Sequence, residues 1–211
     1  MTAPEPIILS HPLVQDRLTQ MRQPDTPSAA FRALLRQISM ALALEATRDL
    51  PLVRRDITTP LQDMAAPVLA QPEPALVSIL RAGNGMLEGL QQMLHDAPVG
   101  FVGLYRDEAT LRPVQYYSKL PDGLAARRVL LLDPMLATGN TAVAAVDLLK
   151  AAGARDIWLL ALLSAPEGVA CLQRAHPDVT ILTAALDERL NEKGYILPGL
   201  GDAGDRIFGT L

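Results

Sequence analysis

Apolar runs near residues 75–80, 99–105, 129–133, 157–163 and 179–184 alternate with stretches of helical spacing near 85–95, 140–152 and 166–175. A strand buried on both faces reads as a continuous apolar run, and a parallel partner is reached only through a crossover, usually a helix. The rhythm therefore predicts an α/β chain with a mainly parallel sheet flanked by helices. Val129–Leu132 and Ile157–Leu163 are far shorter than the roughly 20 residues a membrane-spanning helix requires, so they read as buried strands. Between the second and third runs, Glu108–Leu120 is rich in Tyr, Thr and Val, which fits a hairpin or a mobile flap.

Before this rhythm begins, Thr26-Pro27 reads as an N-cap and a first-turn proline. Phe31, Leu34, Leu35, Ile38, Leu42 and Ala46 then follow at helical spacing in a helix predicted over 28–50 and ended by Pro51. The proline-containing stretch Pro60–Pro74 predicts irregular structure. At the other end, Asn191–Thr210 holds Gly194, Gly199, Gly201, Gly204 and Gly209 around Pro198, too many glycines for a helix or an ordinary strand. Its Tyr195, Ile196, Leu197, Leu200, Ile207 and Phe208 carry enough apolar surface to predict an ordered loop packed on the body.

With 211 residues, 49% of them hydrophobic, the chain can bury a full core, and residues 1–211 are expected to form a single domain. A net charge of −4 gives no general field for a polyanion, so nonspecific nucleic-acid binding is not expected and an anion must be captured locally; with its apolar runs too short to span a bilayer, a membrane is not an expected partner either. The one cysteine, Cys171, has no disulfide partner, and Met1-Thr2-Ala3-Pro4-Glu5-Pro6 lacks the basic start and apolar run of a signal peptide. Both features fit the cytoplasm. Three His residues without a tight cluster of Cys or carboxylates argue against an all-protein transition-metal site.

The strongest chemical motif is Val129-Leu130-Leu131-Leu132-Asp133-Pro134-Met135-Leu136-Ala137-Thr138-Gly139-Asn140-Thr141, followed by the helical pattern 142–152. A strand ending in an acid, a loop of small and hydroxyl residues and then a helix gathers free backbone N–H groups where a phosphate can sit. Thr138 and Thr141 add hydroxyl donors, and Asp133 can accept hydrogen bonds from vicinal sugar hydroxyls. An isolated Thr-Gly-x-Thr would more often be a simple cap, but the full strand, acid, loop and helix context favours phosphate plus ribose. The Gly-Lys-Ser/Thr ending of an ATP-binding P-loop is missing. A second strand-to-helix turn, Ile79-Leu80-Arg81-Ala82-Gly83-Asn84-Gly85-Met86-Leu87-Glu88-Gly89, offers a forked cation and small residues suited to a diphosphate. Alone, it fits a tight turn with a surface arginine equally well.

Together these motifs resemble the phosphoribosyltransferases, whose substrate phosphoribosyl diphosphate (PRPP) has a terminal phosphate, a ribose and a diphosphate. Gly194-Tyr195-Ile196-Leu197-Pro198-Gly199-Leu200-Gly201-Asp202-Ala203-Gly204-Asp205-Arg206-Ile207-Phe208-Gly209-Thr210 closely resembles the C-terminal signature of the uracil phosphoribosyltransferase family. The resemblance extends to His11-Pro12-Leu13-Val14, Tyr105-Arg106-Asp107-Glu108, Ala165-Pro166-Glu167-Gly168 and Ala175-His176-Pro177-Asp178.

The resemblance implies a phosphoribosyltransferase-type fold with a C-terminal hood loop over the base, and transfer of the phosphoribosyl group to N1 of uracil in pyrimidine salvage. It implies that PRPP is held by Asp133, Pro134, Met135, Leu136, Ala137, Thr138, Gly139, Asn140 and Thr141, with Arg81 and Arg106 at the diphosphate and Asp202 nearby. It further implies that uracil is read by backbone groups at Ile196, Gly201, Asp202 and Ala203. Asp202 and Arg106 are the expected catalytic residues, Mg²⁺ is the expected cofactor, held mainly by PRPP, and a homo-oligomer of at least two copies is expected. The resemblance also raises GTP as an activator without deciding it. Asn140-Thr141 replaces the family's common Gly-Ser, Asn84 replaces an apolar residue, and the terminal Lys is missing; altered affinity is the expected consequence. Tyr195 and Asp205 carry no assigned role.

Overall fold

The computed structural model describes residues 4–106 and 113–210. In chain order its elements are β1 (Ile7–Ile8), α1 (Pro12–Arg22), α2 (Ser28–Ala46), β2 (Leu52–Thr58), β3 (Asp63–Leu69), β4 (Ala75–Leu80), α3 (Asn84–Gln91), β5 (Val99–Arg106) and β6 (Pro113–Lys119). They continue with β7 (Arg128–Leu132), β8 (Met135–Leu136), α4 (Asn140–Ala151), β9 (Asp156–Ser164), α5 (Pro166–Ala175), β10 (Thr180–Leu186), β11 (Arg189–Leu190), β12 (Ile196–Leu197) and α6 (Ala203–Phe208).

The main sheet runs β1-β10-β9-β7-β4-β5-β6, with β8 also paired to β9. Its ladders are parallel except for β6, which pairs antiparallel with β5; residues 107–112, part of the segment expected to be a hairpin or flap, lie outside the described residues. The two faces alternate along each strand. Leu76, Leu130, Leu132, Leu160 and Leu182 pack toward α1, α2 and α3, whereas Val77, Val129, Leu131, Leu159 and Ile181 pack toward α4 and α5. Burial of each such side chain stabilises the fold by about 1.5–3 kcal/mol before the entropy of ordering it is counted. From β4 the chain winds outward through α3 to β5, and from β7 it winds the other way through α4 to β9. The carboxyl ends of neighbouring β4 and β7 therefore flank the point where the winding reverses, the usual ligand crevice of open α/β sheets.

Four local expectations shift. Pro27 precedes the first turn of α2, and Thr26, instead of capping it, donates its hydroxyl to the Gln20 carbonyl at 2.6 Å. That helix ends at Ala46, before Pro51, with the Thr47 hydroxyl donating to the Ala43 carbonyl at 2.8 Å. Residues 63–69, expected to be irregular, form β3, which pairs antiparallel with β2 in a ribbon separate from the main sheet. Pro67 is tolerated because a two-stranded ribbon has only edge strands. The glycine-rich C-terminal stretch packs on the body as expected, with Ile196, Leu200, Ala203 and Ile207 buried, yet it contains β12 and the short α6. The Asp202 carboxylate caps α6 by accepting the Asp205 N–H at 2.9 Å, which offsets the cost of Gly204 inside the helix.

Candidate active site

Asp133 follows the last residue of β7, and the loop after it is pinned to the sheet rather than left free. The Pro134 carbonyl accepts the N–H groups of Leu162 and Leu163, both at 3.0 Å, and β8 pairs with the end of β9. Gly139 precedes α4 with φ +84°, and no side chain caps that helix. The first-turn amides of Asn140, Thr141 and Ala142 are thus left for an external acceptor. Neither threonine performs the capping that an isolated motif would predict. Both line a cavity of about 80 Å³ together with Asp133, Met135, Leu136, Ala137 and Gly139.

A wider cleft of about 330 Å³ adjoins it through Asp133, Met135 and Ala137. Its other walls are Arg81 and Ala82 from the turn after β4, Gly194–Ile196 around β12, and Gly201–Gly204 at the start of α6. The loop expected to hold phosphate, one expected diphosphate arginine and all the expected base-reading positions therefore meet in one place. Pro134 and Asn140 line neither cavity. Pro134 holds the loop to the sheet, and the Asn140 carboxamide oxygen faces Cys171 Sγ at 3.7 Å. Arg106 ends β5 opposite Pro113, but its side chain lies outside the described residues.

Electrostatics divide the cleft. Arg81 is exposed, with its guanidinium 5.8 Å from the Phe208 ring centre and only a loose 4.0 Å approach to Asp205, so its charge is available to an anion. On the opposite side, burial pushes the Asp133 carboxyl up to about 6, opposed weakly by the Met135 N–H that it accepts at 3.3 Å. Among the described residues no three His, Cys, Asp or Glu side chains are grouped to hold a metal ion. Asp133 is a hard oxygen donor of the kind Mg²⁺ accepts alongside substrate oxygens.

The glycines of the second turn have a packing reason that the sequence did not disclose. A Cβ on Gly83 would lie 2.4 Å from the Leu132 carbonyl, and one on Gly89 would lie 2.4 Å from the Arg36 carbonyl in α2. Small residues here bring the ends of β4 and β7 together and seat α3 on α2. Asn84, the departure in this turn, accepts the buried Ser78 hydroxyl at 2.7 Å and so ties the turn to β4.

Sequence reasoning missed the residues that hold the glycine-rich turn. Asp187 and Arg22 form an ion pair that grips Gly199, and Arg206 donates to the carbonyls of Met21, Leu200 and Gln23 at 2.6, 2.7 and 2.5 Å. A signal existed for Asp187. Like Asp133, it is a carboxylate placed immediately after a parallel strand.

An adenine phosphoribosyl transferase from Trypanosoma brucei superposes with a TM-score of 0.56 at 17% identity, covering 93% of this chain and 87% of that one. At that identity the likeness speaks for architecture alone: the fold is that of the phosphoribosyltransferases. The family model described as uracil phosphoribosyltransferase matches residues 8–210. A uracil phosphoribosyltransferase from Paracoccus denitrificans is 59% identical over 210 residues and covers 100% of both chains. One from Sinorhizobium fredii is 55% identical over 203 residues, covering 96% of this chain and 97% of its own. The AQ2163 protein from Aquifex aeolicus superposes with a TM-score of 0.91 at 38% identity, covering 97% of this chain and 98% of that one. The chain belongs to the uracil phosphoribosyltransferase family.

Proposed function

We propose that this chain transfers the phosphoribosyl group of PRPP to N1 of uracil, giving UMP and diphosphate, as a cytoplasmic step of pyrimidine salvage. The observation that carries the reading is a cleft that brings Asp133, after β7, together with Ile196 and Gly201–Ala203, with the smaller cavity at the uncapped start of α4 adjoining it. In this reading the Thr141 and Ala142 amides, with the Thr138 and Thr141 hydroxyls, hold the 5-phosphate. Asp133 orients the ribose hydroxyls, and Arg81 and Arg106 take the diphosphate.

Uracil offers acceptor, donor, acceptor along O4, N3–H and O2, a pattern that fixed backbone groups can match without a charged side chain. Cytosine reverses two of these positions and would leave buried groups unpaired, which discriminates more strongly than shape does. The chain contributes mainly orientation and electrostatic stabilisation as the bond from the anomeric carbon to diphosphate breaks and that to N1 forms. Mg²⁺, when bound with PRPP, would neutralise charge at the diphosphate; PRPP oxygens would be its main ligands, and Asp133 is the hard oxygen donor in the cleft that would join them. Asp202 is the residue assigned to orient the base or ease loss of its N1 proton. Its Oδ1 is committed to the α6 cap, so that role falls to its other oxygen.

GTP activation and a homo-oligomer of two or more copies belong to the same proposal. Adding GTP to the assay and measuring mass by light scattering test them. Rates with uracil, cytosine, orotate and hypoxanthine, each with PRPP and Mg²⁺, test the base assignment. Uracil is expected to react fastest by orders of magnitude, and a faster rate with any other base overturns the assignment.

A further inference from the structure

Asp187 sits at the carboxyl edge of the sheet after β10 but stays outside the cleft, with its side chain 5% exposed. Arg22, the last residue of α1, donates Nη2 to Asp187 Oδ1 at 2.6 Å and Nη1 to Oδ2 at 2.8 Å. Both partners then reach the same residue. Asp187 Oδ2 accepts the Gly199 N–H at 2.9 Å, and Arg22 Nη1 donates to the Gly199 carbonyl at 2.7 Å. One ion pair thus satisfies both backbone groups of Gly199, whose φ is +65° and whose α-carbon is so close to Ile196 that a Cβ would stand 2.1 Å from the Ile196 carbonyl.

We propose that the Arg22–Asp187 pair is the positioning device of the base-reading turn, setting affinity for uracil while leaving affinity for PRPP unchanged. This inference rests on the uracil-transfer reading above. The base-reading backbone lies on both sides of the gripped residue, Ile196 before it and Gly201 after it. Recognition through backbone groups cannot adjust by choosing a new rotamer, so its accuracy depends on what holds the chain. A charge-assisted, forked grip on both the N–H and the C=O removes the freedom of this turn to slide or rotate. None of its atoms belongs to the turn after β4 or the loop after β7, where PRPP is assigned.

The test uses Arg22→Lys, which keeps the charge but loses the fork, and Asp187→Asn, which keeps the shape but loses the charge. Steady-state KM for each substrate is measured together with calorimetric binding of PRPP alone. KM for uracil is expected to rise by roughly tenfold or more in both variants, the effect of losing one charge-assisted hydrogen bond. PRPP affinity is expected to stay within about twofold. Equal rises for both substrates, an unchanged KM for uracil, or loss of PRPP binding through local or global disorder each overturn the positioning role. An unmodified enzyme that fails to turn over uracil overturns the parent reading instead, so the two failures are distinguishable.

Discussion

Gly168, in the first turn of α5, lies so close beneath the phosphate loop that a Cβ on it would stand 2.4 Å from the Ala137 carbonyl and 2.6 Å from that of Leu136. Both neighbours are backbone, so the loop itself must move to admit a methyl group. Gly168→Ala is therefore expected to lower kcat/KM for PRPP by roughly 10- to 100-fold. KM for uracil should change far less, because the hood turn is held separately by Arg22 and Asp187. Steady-state kinetics with each substrate varied in turn check this.

Burial of Asp133 ties the protein's stability to pH. Its folded value of about 6 lies above the ordinary 3.8, so the native state keeps this proton longer than the unfolded chain does. The contribution is fully present below about pH 3.8 and is lost as pH rises through about 6. Asp133→Asn removes that slope. Thermal melts of the ligand-free proteins should show the variant more stable than the parent at pH 7, with the gap closing toward pH 4. Activity should move the opposite way, since the ionised carboxylate is the form that accepts sugar hydroxyls.

Substitution can separate the cap that Asp202 forms from the role at the base proposed for it. Asn caps helices about as well as Asp, so Asp202→Asn should keep the thermal midpoint while kcat falls. Asp202→Ala should additionally lose about 1 kcal/mol of stability with the cap. An Asn variant with unchanged turnover would leave Asp202 as a cap only.

Arg128 offers a control remote from the chemistry. It enters the sheet at the start of β7, donates to Asp49, Asp156 and the Ala46 carbonyl, and stacks 4.4 Å over the Trp158 ring centre. Both carboxylates are largely exposed, so water can serve them once the arginine is gone, and the loss is mainly packing and one buried carbonyl. Arg128→Ala is expected to cost about 1–3 kcal/mol in urea unfolding, with both KM values unchanged.

The sheet and the strand–loop–helix run around Asp133–Thr141 were legible because their signals are local. Continuous apolar runs mark buried strands, and Asp133 through Thr141 places acid, small residues and helix start within one short stretch. The base-reading role proposed for the C-terminal turn comes through resemblance alone, since chemistry carried by backbone groups is announced by no side-chain pattern. Arg22 and Asp187 stand 165 positions apart and meet only in the fold. The β2–β3 ribbon escaped notice because Pro60 and Pro67 masked its strands and its apolar residues lack a buried face to alternate against. Helix α6 was hidden by Gly204 within it and Gly201 and Gly209 beside it, although the spacing of Asp202 and Asp205 is that of an N-cap and the amide it receives.

The central claim is tested most directly by incubating the purified protein with uracil, PRPP and Mg²⁺ and separating the products. UMP and diphosphate are expected in equal amounts, at a rate that depends on both substrates. Absence of UMP from active-site-intact protein under those conditions contradicts the account.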